Sequence, residues 1–142
     1  MKHAPELELS IANLAKHLRF GGKLIIVDDL FHHQLLNTKL TDDFKDYWEV
    51  EDLYSSSDFI DAGNRNNLEL IENIDFTPNI ASSLITVINL KLSILKLIKI
   101  FTFTKYRKRI LNVFIGGFIQ DKLYAKDGLE YRGLVFKKVD NV

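Results

Sequence analysis

The sequence predicts an α/β protein in which helices cover a sheet that is at least partly parallel. Residues 6–19 carry apolar side chains at helical spacing, and a Gly-Gly pair ends that segment. KLIIVDD, residues 23–29, follows as a strand with apolar residues on both faces, a pattern typical of a buried parallel strand. Side-chain spacing and turn residues along the rest of the chain predict the element order α-β-α-α-β-α-α-β.

The first helix is predicted from one apolar stripe and from signals at both of its ends. Pro5 suits a first helical turn, and Gly21 and Gly22 supply the left-handed backbone with which helices commonly end. The stripe repeats at i, i+4, i+7 and i+11 and consists of Leu7, Ile11, Leu14 and Leu18. The sequence thus predicts a helix that ends directly before a strand, which is half of a β-α-β unit.

In the centre of the chain, helices are predicted from less regular spacing of apolar residues. Residues 30–54 have mixed helical spacing and contain an aromatic cluster, namely Phe44, Tyr47 and Trp48. SSSD, residues 55–58, is typical of a helix start, and we expect Ser56 or Ser57 to be the cap and Asp58 to lie in the first turn. That helix is expected to stop near Gly63.

Two further strands are predicted on either side of a long apolar segment. Residues 68–76 form the second strand, which Thr77-Pro78-Asn79 ends, and residues 129–139 form the last. Between them, 80–104 is apolar nearly all round a helix and is followed by the basic cluster TKYRKR at 104–109. A further helix is expected at 114–124, and its Gly-Gly pair at 116–117 indicates a kink or close helix packing.

The apolar segment raises the question of a membrane. Lysines 91, 96 and 99 interrupt it, so it contains no uninterrupted membrane span. Residues 80–109 could lie on an anionic membrane surface, or the segment could cover a sheet while its lysines reach water. The covering role is favoured, and contact with an apolar substrate fits it.

Composition excludes some classes of protein. The 142 residues suit one domain or part of a larger one, and the 19 basic and 19 acidic residues cancel, which argues against nucleic-acid binding. The chain has no cysteine, which excludes disulfides and cysteine metal sites. Its first residues lack an apolar secretory segment, so a cytoplasmic location is expected.

A metal site is the first chemical hypothesis for the stretch after the first strand. Asp28, Asp29, His32 and His33 are suitable ligand types in close succession. Adjacent aspartates in a strand point to opposite faces, and adjacent histidines on a helix diverge by about 100°. The four cannot converge on one ion, so we predict no metal. No nucleophile motif and no phosphate-binding loop is present either, because Gly21-Gly22 precedes a strand.

The same stretch and two later ones resemble class I S-adenosylmethionine-dependent methyltransferases, in the small-molecule and lipid (type 11-like) branch. HAPELELSIANLAKHLRFGGKLIIVDDLF resembles the run from the end of that family's strand four through strand five, with Phe20 where a proline is usual. NLELIENIDFTPNI resembles strand six, and LEYRGLVFKK resembles the last strand. The matching residues are His3, Pro5, Leu18, Arg19, Gly21, Gly22, Asp28, Asp29, Asp75, Thr77, Pro78, Tyr131, Val135 and Lys138.

The resemblance implies a partial Rossmann-like methyltransferase sheet made of strands five, six and seven with covering helices. Strand seven is expected to lie antiparallel between the other two. Residues 1–142 would be the C-terminal part of the domain, with 80–128 as a helical insertion between its last two strands. The family's cofactor is S-adenosylmethionine, but the chain has no G-x-G-x-G loop to hold it.

The resemblance also implies roles for six residues. Asp28 and Asp29 are expected to line the acceptor pocket, with His32 or His33 as a base where one is needed. Tyr47 and Trp48 are predicted to form a lid over a small, hydrophobic acceptor. Helix capping for Asp29, and core packing for Tyr47 and Trp48, remain alternatives.

A partner is expected because strand five lacks its strand-four neighbour and exposes an apolar edge. We expect a complementary N-terminal half or a second copy of the chain to cover that edge. The alternative to a methyltransferase is a non-catalytic remnant or interaction module that keeps the fold.

Overall fold

A computed structural model of the chain describes residues 4–35, 38–80 and 83–140. His3, one of the residues that carry the resemblance, lies outside them. Short 3-10 helices occur at His33–Leu35 and Thr77–Asn79. In chain order the main elements are α1 (Ala4–His17), β1 (Lys23–Phe31), α2 (Lys39–Trp48), α3 (Ser56–Arg65), β2 (Leu68–Asp75), α4 (Ile85–Ile100), α5 (Lys105–Tyr124) and β3 (Leu129–Lys138).

The chain divides into two compact units. The first, called here the sheet unit, contains α1, β1, α3, β2 and β3 from Glu130 onward. The second, the helical unit, contains α2, α4 and α5. Residues 32–53 thus belong with the helices that separate β2 from β3, a grouping that the sequence did not predict.

The sheet has the order β1-β3-β2, so the last strand lies in the middle. β2 and β3 are antiparallel, with Leu70 opposite Phe136 and Ile74 opposite Gly133. Lys138 at the end of β3 exchanges backbone hydrogen bonds with Gly21 and Gly22 just before β1, so β1 is antiparallel to β3 as well. The predicted antiparallel strand between the other two is confirmed. The expectation of a partly parallel sheet is not met among the described residues, because both neighbouring strand pairs are antiparallel.

The core of the sheet unit lies between one face of the sheet and two helices, α1 and α3. Leu7, Ile11 and Ala15 of α1 supply one side of it, and Leu18 packs against it. Leu14, which the predicted stripe included, is 49% exposed, because Ala15 and not Leu14 faces the sheet. Phe136 and Leu134 of the central strand supply the other, and both are fully buried. The core cluster consists of Leu7, Ile11, Ala15, Leu30, Phe59, Ala62, Leu68, Leu134 and Phe136.

The opposite face of the sheet exposes aliphatic side chains. In β1, Leu24 and Ile26 pack against the core, whereas Ile25 and Val27 keep 64% and 49% of their surface exposed. Ile74 of β2 pairs with Gly133 on the same outer face and is 40% exposed. The prediction of a strand buried on both faces is therefore wrong. We call Ile25, Val27 and Ile74 the exposed sheet face.

Turn and cap residues fix the ends of the sheet-unit helices. Gly21 has φ +74°, which confirms the left-handed backbone predicted after α1. The cap of α3 is Ser55, not Ser56 or Ser57, and its Oγ and backbone N–H both donate to the Asp58 carboxylate (2.6 and 2.8 Å). This reciprocal capping box explains why the helix starts one or two residues earlier than predicted.

A carboxylate on α1 links the two helices of the sheet unit. Arg65 Nε donates to Glu8 Oε2 at 2.7 Å, and Asn66 Nδ2 donates to Glu8 Oε1 at 2.8 Å. The hydrogen bond from Arg65 is the main cause of a lowered pKa of Glu8, because it stabilises the ionised carboxylate.

This pKa gives a prediction for Glu8→Gln. A carboxyl group with a lowered folded-state pKa adds stability above its unfolded pKa and loses it as the pH falls through the folded value. We expect the difference in free energy of unfolding between wild type and Glu8→Gln to be constant near neutral pH and to shrink below pH 4.5, the ordinary value. Urea titrations across that range measure it. Glu6→Gln, an exposed carboxylate change in the same helix, is the control, and an equal pH response of both variants contradicts the prediction.

The helical unit is built on α5, against which α2 and α4 pack. α4 and α5 form an antiparallel hairpin, because Lys122 bonds Asn89 at 2.7 Å and Lys91 lies 5.0 Å from the Phe118 ring centre. The later residue of α4, Lys91, meets the earlier residue of α5, Phe118, so the two helices run in opposite directions. The fully buried side chains here include Ile88, Ile115, Ile119 and Leu123.

Two predictions for this hairpin were only partly correct. The apolar segment is helical as expected, but α5 begins at Lys105, nine residues before the predicted 114. The basic cluster therefore forms the first turns of α5. Within the described ranges, no helix combines the length and the apolar character that crossing a bilayer requires.

Candidate active site at the carboxyl edge of the sheet

The carboxyl ends of β1 and β2 lie at the same edge of the sheet, because both strands run antiparallel to β3. Ligands of open α/β sheets bind beyond such an edge. Beyond β2, Phe76 N–H donates to the Tyr131 carbonyl (2.8 Å), and Tyr131 N–H donates to Thr77 Oγ1 (2.9 Å). These bonds give the Asp75-Thr77 motif a structural task, which is to hold the end of β2 against β3.

Asp28 and Asp29 lie inside β1 and not at its end, because Leu30 and Phe31 continue the strand and are buried. Asp28 is exposed, and its Oδ1 accepts a hydrogen bond from the Asp29 backbone N–H at 2.8 Å. Asp29 is half-buried. The alternative that Asp29 caps a helix is wrong, since the next α-helix has Thr38 as its cap.

His32 and His33 follow β1 directly. The His32 backbone N–H donates to the Gly128 carbonyl at 3.2 Å, and His33 opens a 3-10 helix. Both side chains are exposed. These histidines belong to the helical unit and the two aspartates to the sheet unit. The predicted site residues are therefore not gathered within one unit.

Tyr47 and Trp48 pack inside the helical unit. The Trp48 ring covers Gly116 of α5 so closely that a β-carbon there would lie 3.2 Å from Trp48 Nε1. Trp48 also contacts Phe44, with ring centres 6.2 Å apart. Lys99 Nζ lies 4.7 Å from the centre of the Tyr47 ring. Close helix packing at Gly116 is confirmed, and the alternative of a packing role fits both aromatic residues. A lid role stays a prediction.

No group of three or more His, Asp or Glu side chains in the described ranges is placed to hold a metal ion. At the β2–β3 border the charged side chains pair with one another. Arg132 donates to Asn73 Oδ1 at 3.0 Å, contacts Glu130, and lies 3.8 Å from Asp75 Oδ2. This cluster joins neighbouring strands.

Three glycines of the chain have no free space beside them for the cofactor that the resemblance implies. A methyltransferase cofactor loop needs open glycine backbone, but Gly22 turns the chain into β1 and donates to the Arg19 carbonyl at 2.8 Å. Side chains occupy the space beside three others: Phe136 beside Gly63, Trp48 beside Gly116 and Phe76 beside Gly133. The β-carbon positions of Gly21 and Gly117 are open, whereas Gly63, Gly116 and Gly133 lack the space that such a loop needs.

Searches with the sequence find no matching family model and no matching curated protein. Solved structures do match. A geranyl diphosphate methyltransferase in complex with SAM aligns over 94% of this chain and 46% of its own length, with 18% identity and a TM-score of 0.59. The chain has part of the methyltransferase fold.

Two other solved structures give the same result. The geranyl diphosphate C-methyltransferase of Streptomyces coelicolor A3(2) aligns over 94% of this chain and 41% of its own, with 14% identity and a TM-score of 0.62. A candidate sarcosine dimethylglycine methyltransferase of Galdieria sulphuraria aligns over 99% of this chain and 50% of its own, with 14% identity and a TM-score of 0.64. The chain thus spans half or less of the length of these proteins.

Proposed function

We propose that this chain is the C-terminal, acceptor-side part of an S-adenosylmethionine-dependent methyltransferase. One observation carries the proposal: nearly the whole chain, with its last strand antiparallel in the middle of the sheet, matches half or less of several methyltransferases. Under this proposal β1, β2 and β3 correspond to strands five, six and seven of the family. The helices between β2 and β3 are then the insertion that covers the acceptor.

The cofactor half is proposed to come from a segment outside this chain, either in a longer polypeptide or in a separate protein. The glycine geometry supports this, because Gly63, Gly116 and Gly133 are all covered by aromatic rings. The exposed sheet face also supports a cofactor half that lies outside this chain. In a doubly wound fold, helices cover both faces of the sheet, and here α1 and α3 cover one.

Asp28 is proposed to contact the acceptor, since it is exposed close to the carboxyl end of β1. His32 or His33, directly after that strand, would take the proton from an acceptor nucleophile that carries one. A hydrophobic acceptor is favoured by the exposed apolar side chains of the helical unit. It is also favoured by two of the matching structures, which are named for geranyl diphosphate.

The first test is titration calorimetry of the full chain with S-adenosylmethionine. We expect no heat of binding, because the glycine-rich half of the site is missing. Micromolar affinity in the isolated chain would overturn the proposed division of the site. Phe136→Ala, which weakens the core, serves as the control that any observed binding depends on the folded chain.

The second test adds the missing half. If the adjacent coding sequence contains a G-x-G-x-G strand-loop-helix, we expect the two segments expressed together to bind S-adenosylmethionine and to methylate a prenyl-type acceptor. Asp28→Asn is expected to raise KM for the acceptor and to leave cofactor affinity unchanged. Asp61→Asn, the same change at an exposed position of α3, is the matched control. Cofactor binding without any transfer would favour the non-catalytic alternative.

A further inference from the structure

The connection between α4 and α5 exposes an unusual density of apolar surface. Ile100, Phe101, Phe103 and Tyr106 keep 71%, 69%, 90% and 76% of their surface accessible. We call residues 100–109 the hairpin tip. Exposed apolar residues that occur singly are ordinary, but a contiguous group of this kind marks an interaction site.

The same ten residues carry concentrated positive charge. Lys105, Arg107, Lys108 and Arg109 lie in the first turns of α5, and all four side chains are exposed. No salt bridge to them occurs among the described residues, whereas Lys96 and Lys99 further back face Asp43 and Tyr47 of α2. The chain as a whole is neutral, yet the sequence from 76 to 120 contains seven basic residues and no acidic one.

The positive charge at the start of α5 destabilises that helix. The first turn of a helix carries a positive partial charge and favours acidic residues, so cations there are unfavourable. Thr104, the cap residue, makes no side-chain capping hydrogen bond. A local conflict of this kind in an otherwise regular hairpin is typical of a functional surface.

We propose that the hairpin tip docks on the surface of an anionic lipid bilayer. Aromatic and aliphatic side chains at 100–106 would enter the headgroup boundary, and the cations at 105–109 would pair with anionic headgroups. The charge complementarity selects this occupant. In a symmetric contact with a second copy the two basic clusters would repel, and nucleic-acid surfaces are too polar for Ile100 and the two phenylalanines.

Vesicle co-sedimentation of the full chain tests the proposal. We expect binding to vesicles of equal parts phosphatidylglycerol and phosphatidylcholine, weakening with salt, and little binding to phosphatidylcholine alone. Replacing Lys105, Arg107, Lys108 and Arg109 together by glutamine should weaken binding on the order of a thousandfold. The matched control replaces Lys16, Lys23, Lys126 and Lys137, four exposed lysines elsewhere, by glutamine and changes the net charge equally.

A second pair of variants tests the apolar part. Phe101→Ser with Phe103→Ser is expected to weaken binding roughly tenfold, whereas Phe20→Ser, an equally exposed phenylalanine in the sheet unit, should not. Phe103→Trp should add blue-shifted emission that brominated lipids quench, and Phe20→Trp should not. Circular dichroism confirms that each variant is folded.

Three outcomes overturn the proposal. One is equal binding to neutral and anionic vesicles, another is an equal loss in the lysine control, and the third is failure of the wild-type chain to sediment. Membrane binding is measured without cofactor or acceptor, so its failure leaves the methyltransferase proposal to its own tests. Loss of self-association in the Phe101 and Phe103 variant, with no vesicle binding by wild type, identifies a copy-to-copy contact and also overturns it.

Discussion

Phe136→Ala is expected to lower the free energy of unfolding by about 3–5 kcal/mol. Phe136 lies in the central strand, is fully buried and belongs to the core that α1 and α3 cover. Removing the ring leaves a cavity between the sheet and α3, which rigid neighbours on both sides cannot fill. Urea denaturation followed by circular dichroism measures the loss. A change below about 1 kcal/mol would show that this packing is absent in solution.

The same ring explains Gly63 in the last turn of α3. A β-carbon at Gly63 would lie 2.7 Å from Phe136 Cε1, closer than packed atoms approach. Gly63→Ala is therefore expected to cost about 1–3 kcal/mol despite the better helix propensity of alanine. Gly117→Ala is the matched control, because nothing lies within 4 Å of its β-carbon position, and it should gain about 0.5–1 kcal/mol.

A double-mutant cycle makes the cause specific. If the Phe136 ring is the obstacle, Gly63→Ala should cost less in a Phe136→Leu background than in wild type. Additive losses would contradict this account and would place the strain elsewhere in α3.

Self-association of the isolated chain is the second large effect that we expect. β1 bonds to one strand among the described residues, and its outer face exposes Ile25 and Val27. A long apolar edge strand of this kind pairs readily with another chain. Without a complementary half, we expect oligomers in size-exclusion chromatography with light scattering. Ile25→Lys with Val27→Lys should weaken that association on the order of a hundredfold, because two apolar side chains that the association would bury become charged.

The chain offers a close control on α1. Leu9 and Leu14 are 61% and 49% exposed, almost the same as Ile25 and Val27. Leu9→Lys with Leu14→Lys adds equal charge at equal exposure but away from the sheet edge, and it should leave the oligomers intact. A monodisperse wild-type monomer, or equal dissociation of both variants, contradicts the expectation of a partner at this edge.

The sequence predicted local structure best where side-chain spacing and caps agree. The stripe and Gly21 correctly predicted the existence of α1 and its left-handed end, since both depend on nearby residues. The inward face was predicted less exactly, because Leu14 is exposed and Ala15 is buried in its place. The position of the last strand between the other two was also predicted, through the family resemblance.

The environment of β1 could not be predicted from its own residues. Leu24–Val27 is a run of aliphatic side chains. Such a run is equally compatible with a strand buried on both faces and with a strand that has one exposed face. In the structure the side chains alternate between the two faces of the sheet: Leu24 and Ile26 point to the core, and Ile25 and Val27 are exposed. The capping box at Ser55 was missed for a local reason, because three adjacent serines offer the same hydroxyl.

The candidate site was predicted less well than the fold. Asp29 was expected as a possible cap, but the strand continues through it to Phe31. The aromatic pair Tyr47 and Trp48 gives no local signal that separates a lid from a packing surface, because the decisive partner, Gly116, is distant in sequence. Long-range partners of this kind are not encoded in the spacing of nearby residues.

The central position of β3 sets the order in which the protein can be made. β1 and β2 both pair with β3, and α4 and α5 are synthesised before it. Until the segment Leu129–Lys138 leaves the ribosome, β1 and β2 both lack the hydrogen-bonding neighbour that β3 provides. The three-stranded sheet can therefore close only late in synthesis, and we expect the nascent chain to be prone to aggregation until then.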